Sequence, residues 1–192
     1  MIDDLIRQTR STRRFVQSEA VSIETLRELV NLARLSPSAS NKQPLKYILF
    51  NTPEQNALIF EHVGWAGYLS DWPGPAEGER PAAYIIILGD CHVSEAIDCD
   101  HGIAAQSILL GARERGLGGC ILGSIKRAPL RSALKLDVRY RIMLVIALGK
   151  PAEQIVLEEV GPEGDIKYWR DADGVHHVPK RSLDEIIVEG DW

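Results

Sequence analysis

Long hydrophobic runs are missing from this sequence. Its longest apolar stretches, such as Tyr84 to Leu88, are far shorter than the roughly 20 residues that a membrane-spanning helix needs. The first residues also lack the order of a secretory signal peptide, in which positive charge precedes an apolar stretch. We therefore expect a cytoplasmic protein that does not insert into a membrane.

Cysteine and basic charge are also scarce. The three cysteines are an odd number, and without a secretion signal they do not predict a disulfide framework. The net charge of -5 argues against nucleic acid as a partner, because binding to a phosphate backbone needs a basic face. What is present is a chain of 192 residues with 45% hydrophobic residues, which is enough to bury a core in one domain.

A local cluster of positive charge stands out from this acidic background. Three arginines and two hydroxyl residues occupy consecutive positions, namely Arg10, Ser11, Thr12, Arg13 and Arg14. Guanidinium groups donate paired hydrogen bonds to phosphate oxygens, and a hydroxyl between them can donate one more. The cluster therefore predicts an anion site, although a run this short is also typical of a solvated basic turn.

Apolar periodicity predicts an alternation of helices and strands. Ser22 is the expected N-cap of the second helix, because the apolar residues after it recur at helical spacing. The predicted helices are Met1 to Thr9, Ser22 to Leu35, Pro53 to Val63, Asp98 to Gly116 and Pro129 to Lys135. The predicted strands of the main sheet are Leu45 to Phe50, Ala82 to Gly89 and Tyr140 to Leu148. The glycine-rich segment from Gly116 to Ser124 follows the fourth predicted helix and enters a further strand.

The end of the chain predicts a hairpin. Tyr168 to Val178 reads as two short strands around the turn at Asp173-Gly174, and a final apolar strand or turn follows the basic pair at Lys180. We expect His176 and His177 on the surface of the hairpin, because neighbouring strand residues point to opposite faces.

The loop after the second helix is rigid and polar. Pro37 and Pro44 bracket small and polar side chains, among them the amides of Asn41 and Gln43. A plain connector would explain the prolines and serines through turn chemistry. Amides fixed between prolines also present donors and acceptors of the kind that reads the edge of a heterocycle.

The two segments together carry a resemblance. Arg-Ser-x-Arg-Arg-Phe at residue 10, followed by Ser-Pro-Ser-Ala-Ser-Asn-x-Gln-Pro, resembles the opening of the nitroreductase family. The resemblance implies an α+β fold with a central, mostly antiparallel sheet flanked by helices, in an intertwined homodimer that holds FMN between its subunits. It further implies a single FMN-binding domain over residues 1–192, in which residues 164–192 are a C-terminal extension that completes the cofactor site.

The resemblance also implies the residues that bind FMN. These are Arg10, Ser11, Arg13, Pro37, Ser38, Ala39, Asn41, Ile121, Leu122, Gly123, Lys180 and Arg181. Arg10 and Ser11 would bind the phosphate together with the late basic pair, and the backbone of residues 121–123 would face the central ring. Many family members have a further arginine where this chain has Thr9, so the late basic pair would matter more here.

The activity that the resemblance implies is oxidoreduction. NADH or NADPH would pass a hydride to the flavin, and a nitroaromatic, quinone or similar small-molecule acceptor would then take it in a ping-pong cycle. Arg13 is the expected cation beside N1 and O2 of the ring, where reduction places negative charge. Trp65 and Tyr68 are the expected substrate contacts, although aromatic residues in such a loop are equally typical of a small satellite core. No acid–base residue is predicted.

Two other classes of function remain open from the sequence. The same binding residues would serve a flavin carrier or sensor without turnover. Cys91, His92, Cys99 and His101 also place four possible metal ligands within eleven residues, which suggests a zinc-binding structural protein. Their spacing does not match a closed zinc site, and buried structural cysteines explain the same residues.

Overall fold

The computed structural model describes residues 1–190, which form two compact units. The first unit contains residues 1–65 and 74–152, and the second contains residues 66–73 and the chain from Glu153 onward. Each unit is built around its own sheet. Among the described residues, no helix is both long enough and apolar enough to cross a membrane.

The first unit has five helices and four strands in the described chain. The helices are Ile2–Gln8 (α1), Ile23–Leu35 (α2), Pro53–Phe60 (α3), Asp100–Glu114 (α4) and Arg127–Ala133 (α5). The strands are Leu45–Phe50 (β1), Ala83–Asp90 (β2), Gly118–Leu122 (β3) and Tyr140–Gly149 (β4). A short 3-10 turn at Ala39–Asn41 lies between α2 and β1. These elements agree with the helices and strands that the sequence predicts, within a few residues at their ends.

The four strands form one antiparallel sheet in the order β1-β2-β4-β3. Every residue of β2 is buried, because both faces of this central strand are covered. Ile85 and Ile87 pack on the side of α2 and α4, whereas Tyr84 and Ile86 pack with Phe15 on the other side. The prediction of a mostly antiparallel sheet flanked by helices is therefore confirmed.

Helices α2 and α4 cover one face of this sheet. The Ser22 hydroxyl accepts a hydrogen bond from the Thr25 N–H at 3.0 Å, which confirms the predicted N-cap of α2. Gly111 of α4 lies against α2 so closely that a Cβ there would come within 2.3 Å of Leu32. Gly116 ends α4 with a φ of +72°, a left-handed conformation that glycine adopts without strain.

The second unit has a smaller sheet of three strands. Its elements are Ile155–Glu159 (β5), Trp169–Arg170 (β6), His176–Lys180 (β7) and the short helix Leu183–Ile186 (α6). β6 and β7 pair in antiparallel fashion around Gly174, which confirms the predicted hairpin. β5 pairs with β7 in parallel, so that β7 is the central strand.

Two predictions for this region are wrong. The final apolar segment is the helix α6, because Ser182 and Glu185 form a capping box at its start. The histidines do not lie on a hairpin surface: His176 is only 1% exposed, and the His177 ring hydrogen-bonds both Glu158 and Asp171. The hairpin does not expose these histidines because β5 pairs with β7 and places Glu158 beside His177.

Candidate functional site

The arginine segment lies along strand β3. Ser11 forms an isolated parallel bridge with Gly119, and the Thr12 N–H donates to the Gly119 carbonyl at 3.0 Å. A glycine is needed at position 118, because a Cβ there would come within 2.5 Å of the Thr12 hydroxyl oxygen. The fold therefore brings the predicted anion segment and the predicted glycine strand together.

The basic side chains of this segment are partly engaged with backbone oxygens. Arg10 donates from Nε to the Thr9 carbonyl at 2.6 Å and from Nη2 to the Ile6 carbonyl at 2.8 Å. These bonds use two of the five N–H donors of the guanidinium. Burial lowers the pKa of Arg10 from its ordinary value, although an arginine remains protonated near neutral pH. Arg13 donates from Nη1 to the Ser11 carbonyl at 3.3 Å, and the Ser11 side chain is exposed.

The end of β3 exposes its backbone. Ile121 is 38% exposed, whereas the side chain of Leu122 is buried in the core on the Phe15 side of the sheet. A Cβ at Gly123 would meet none of the atoms described by the structure within 4 Å. A flat ligand could therefore approach this strand end closely, and Leu122 would contribute only main-chain atoms to such a contact.

The loop that contains Pro37 and Asn41 is fixed by Asp100, the first residue of α4. The Asp100 carboxylate accepts from the Ser38 hydroxyl at 2.6 Å and from the Ala39 N–H at 3.0 Å. Asp100 is only 4% exposed, and Ser38 in turn accepts from the Gln43 N–H at 2.9 Å. Sequence reasoning missed this anchor, because no local pattern separates Asp100 from the acids beside it.

The same loop stores backbone strain. Ser40, Asn41 and Gln43 have φ values of +51°, +54° and +52°, a left-handed region that residues other than glycine seldom adopt. Such strain persists where surrounding contacts hold the backbone, and it clusters at functional sites. The Gln43 side-chain amide donates to the Asn41 carbonyl at 3.2 Å and to Asn41 Oδ1 at 3.1 Å. The two amides therefore form one rigid, exposed pair.

The loop also borders an open groove of about 880 Å³. Its lining includes Pro37, Ser38 and Gln43 from the loop, Tyr47 from β1 and Asp100 from α4. The groove is partly apolar, since residues of α2 and β1 supply much of its wall. It is thus large enough for an organic ligand or for a segment of another chain.

The loop and the arginine segment lie at opposite ends of α4. Asp100 at the start of this helix holds the loop, whereas Arg113 near its end hydrogen-bonds Gln8 at 3.1 Å. Gln8 stands two residues before Arg10. Because Arg113 lies 13 residues after Asp100, about 20 Å of helix separates the two contacts.

The predicted substrate residues have different environments. Trp65 is half-buried and packs 6.0 Å from Phe60, with Gly74 so close that a Cβ there would lie 2.7 Å from the indole. Trp65 thus packs against the core on the Phe15 side of the first sheet. Tyr68, in the second unit, is 51% exposed and its ring lies 5.0 Å from that of Tyr168.

The late basic residues belong to the second unit. Lys180 is exposed at the end of β7. Arg181 is also exposed and forms an ion pair with Glu185 at 3.2 Å. Their role at a phosphate stays a prediction.

The alternative metal site gains no support. Among residues 1–190, no three His, Cys, Asp or Glu side chains come together as possible metal ligands. The acids near the cysteines bind protein groups instead: Asp90 pairs with Arg139 at 3.0 Å, and Asp100 holds the loop at Ser38.

Comparisons with known proteins agree with this arrangement. A sequence model of the nitroreductase family matches residues 6–73 and 79–150. A Bacillus subtilis protein named as an NAD(P)H nitroreductase is 24% identical over 184 residues, which cover 79% of this chain and 91% of that protein. The chloronitrobenzene nitroreductase of Comamonas testosteroni is 25% identical over 195 residues, with 77% of this chain and 86% of the enzyme covered.

A solved structure extends the similarity to the whole chain. A Desulfovibrio desulfuricans protein, described as a nitroreductase in complex with FMN, matches with a TM-score of 0.71 and 27% identity. The match covers 100% of this chain and 97% of that one. Because the family model covers well over half of the sequence and the fold agrees throughout, this chain belongs to the nitroreductase family.

Proposed function

We propose that this protein is an FMN-dependent oxidoreductase that takes hydride from NADH or NADPH. A nitroaromatic, a quinone or a similar small molecule would accept the hydride in a ping-pong cycle. When bound, FMN supplies the hydride chemistry, and the protein supplies position and charge. The observation that carries the proposal is the arginine–serine segment lying along β3, with Ser11 paired to Gly119.

The donor set of this segment suits a phosphate. The Ser11 hydroxyl is exposed, and the Arg10 guanidinium uses only two of its five N–H donors on the protein backbone. Charged donors of this kind bind phosphate oxygens strongly. In the proposed site, Lys180 and Arg181 add further positive charge to the same group.

The open end of β3 suits a flat ring. The main chain of residues 121–123 would lie against the flavin, since Gly123 leaves the approach free and Ile121 is exposed. Arg13 would stabilise the negative charge that reduction places on the N1 and O2 side of the ring. Replacing Arg13 by alanine should therefore lower the reduction potential of the bound flavin, and an unchanged potential would remove Arg13 from this role.

We propose a homodimer for a geometrical reason. The loop at Ser38 is held at the start of α4, whereas the proposed phosphate-binding segment follows Gln8, which is held near the end of α4, with about 20 Å of helix between Asp100 and Arg113. One chain is therefore expected to place the residues Pro37, Ser38, Ala39 and Asn41 at the flavin of a second copy. A protein that holds FMN tightly and sediments as a monomer would contradict this arrangement.

The acceptor class rests on the relatives. One is named as an NAD(P)H nitroreductase and another as a chloronitrobenzene nitroreductase. In this proposal Tyr68 contacts the acceptor directly, because its side chain is exposed, whereas Trp65 packs against the core and supports the loop from there.

The first experiment is the visible absorption spectrum of the purified protein. We expect a flavin spectrum that bleaches when NADH or NADPH is added without oxygen, with FMN identified by mass after release. Reoxidation by a quinone or a nitroaromatic then demonstrates turnover. A flavin that stays oxidised would indicate a carrier or sensor instead, and a colourless protein that cannot be reconstituted with FMN would refute the proposal.

A pair of variants tests the phosphate contact. Arg10→Ala should weaken FMN binding about tenfold or more, because it removes a charged donor. Arg7→Ala is the matched control, since Arg7 is an exposed arginine of α1 that lies three residues before Arg10. Equal losses in both variants would mean that general charge, and not a specific contact, holds the cofactor.

A further inference from the structure

A second cavity lies in the first unit, and its lining contains none of the residues assigned to the proposed flavin site. It has a volume of about 250 Å³ and is lined by residues of α3, of β2 and of the segments that precede α2 and β2. Asn56 and Phe60 line it from α3, Tyr84 from β2, and Gln17 and Arg80 from the two segments. None of these residues has a role in the function proposed above.

Three polar atoms of the lining residues lack a hydrogen-bond partner within the described part of the chain. They are the Tyr84 hydroxyl, Asn56 Oδ1 and Arg80 Nε, and each is buried. Tyr84 as a whole is 0% exposed. Buried polar groups in folded proteins are nearly always hydrogen-bonded, so three such atoms around one cavity indicate that something else binds them.

Their chemistry defines what would fit. The Asn56 amide is oriented by a 2.7 Å hydrogen bond from Nδ2 to the Ala82 carbonyl, so Oδ1 remains to accept a hydrogen bond. The Arg80 guanidinium packs 4.4 Å over the Phe60 ring and forms no ion pair with any residue that the structure describes. Burial raises the pKa of Tyr84, although the charge of Arg80 acts in the opposite direction, so the hydroxyl stays protonated and can donate.

We propose that this cavity binds a small carboxylate that carries a hydroxyl beside the carboxyl group. The carboxylate would accept from Arg80 and from the Tyr84 hydroxyl, and the ligand hydroxyl would donate to Asn56 Oδ1. The ring of Phe60 would contact the carbon skeleton. The cavity is smaller than the roughly 300–1,000 Å³ of sites for drug-sized ligands, which restricts the ligand to a few heavy atoms.

Calorimetric titration of the purified protein with lactate tests the proposal. We expect saturable binding with a dissociation constant of about 1 mM or tighter. Lactamide, which lacks the charge, and propionate, which lacks only the hydroxyl, should each bind about tenfold more weakly. The absorption spectrum of any bound flavin should not change, because the cavity shares no residue with the proposed flavin site.

Variants locate the binding. Tyr84→Phe keeps the ring in the core and should weaken lactate binding about tenfold, and Arg80→Gln should weaken it further. Tyr140→Phe is the control, since Tyr140 lies outside the cavity lining. Equal lactate affinity in the wild type and both cavity variants would overturn the proposal. So would a crystal soaked in lactate that shows only ordered water at Tyr84.

Discussion

The two sheets of this chain are stabilised by different chemistry. In the first unit, β2 is buried along its whole length and its isoleucines pack on both faces. In the second unit, His176 is the buried residue among described positions 153–190, and its ring lies 5.3 Å from that of Tyr168. Glu153 and Arg170 of the same unit form a mostly buried ion pair. The first sheet depends on the non-directional burial of apolar area, whereas the second depends on particular pairs of groups.

This difference decides how each sheet should respond to change. An apolar core loses free energy in proportion to the volume that a substitution removes. A sheet held by buried ion pairs should instead fail when one partner is removed, because the other charge is left without compensation. Matched substitutions in the two units can therefore distinguish these two kinds of stabilisation.

The largest effect is expected at Glu153. Its carboxylate pairs with Arg170 at 2.8 Å, and the two side chains are 1% and 11% exposed. Glu153→Ala should destabilise the second unit by about 4 kcal/mol, because Arg170 would remain charged in a mostly buried position. Hydrogen exchange at the amides of β7 measures the loss. Unchanged protection there would mean that the pair does not hold the unit.

The control for this variant is another ion pair of the same unit. Arg181 and Glu185 are each 48% exposed, so Arg181→Ala should cost less than about 1 kcal/mol. A similar loss of stability in both variants would show that burial of the ion pair does not decide its contribution.

In the first unit, the corresponding test is Ile146→Ala. Ile146 is 0% exposed in β4, and its truncation should cost about 3 kcal/mol in the free energy of unfolding by urea. Ile2→Ala, at a position of the same unit that is 58% exposed, should change stability by less than about 0.5 kcal/mol. A small effect at Ile146 would show that the core repacks around the lost volume.

The contrast also explains what the sequence could predict. Continuous apolar runs and helical spacing predict β2, β4 and α4 correctly, because burial of such runs requires no particular partner. Strand β5, in contrast, was not predicted: Ile155–Glu159 is short and its residues are partly exposed. Its pairing with β7 is what places Glu158 beside His177.

The candidate site likewise contains parts that the sequence predicts and one part that it does not. The segment at Arg10 and the glycine strand were predicted, and the fold brings them together at Ser11 and Gly119. The anchor at Asp100 could not be predicted, because it depends on Ser38, which lies 62 positions earlier in the chain. A specific pair that is distant in sequence leaves no periodic pattern.

Removing the Asp100 anchor is expected to have an effect of intermediate size on stability. Asp100→Ala should cost about 2 kcal/mol, because the Ser38 hydroxyl and the Ala39 N–H lose a buried acceptor. Hydrogen exchange and limited proteolysis at residues 38–43 measure the release of the loop. Asp98→Ala is the control, since Asp98 is exposed and stands two residues earlier. An intact loop in Asp100→Ala would show that the backbone strain persists without its anchor.

The smallest effect is expected from pH, and it should appear in the second unit alone. The His177 ring bonds Glu158 through Nδ1 and Asp171 through Nε2, and it stacks 4.1 Å from Trp169. Glu158 first and Asp171 second raise the pKa of His177 above its usual 6.5, and His177 lowers the pKa of Asp171. Protonated His177 therefore stabilises the folded unit fully below about pH 6.5, and this contribution is lost as the pH rises through the pKa of the folded state. The contribution of the Asp171 carboxylate is lost only in acid.

Protection of the β7 amides should therefore fall as the pH rises above about 6.5, after correction for intrinsic exchange, while protection in β2 stays constant. His177→Gln should remove the pH dependence, because glutamine can hydrogen-bond but does not titrate in this range. A pH dependence that survives in His177→Gln, or one that is equal in β2 and β7, would place its origin outside this cluster. Either result would show that the polar sheet is not stabilised through His177, and the contrast between the two sheets would then rest on the pair of Glu153 and Arg170.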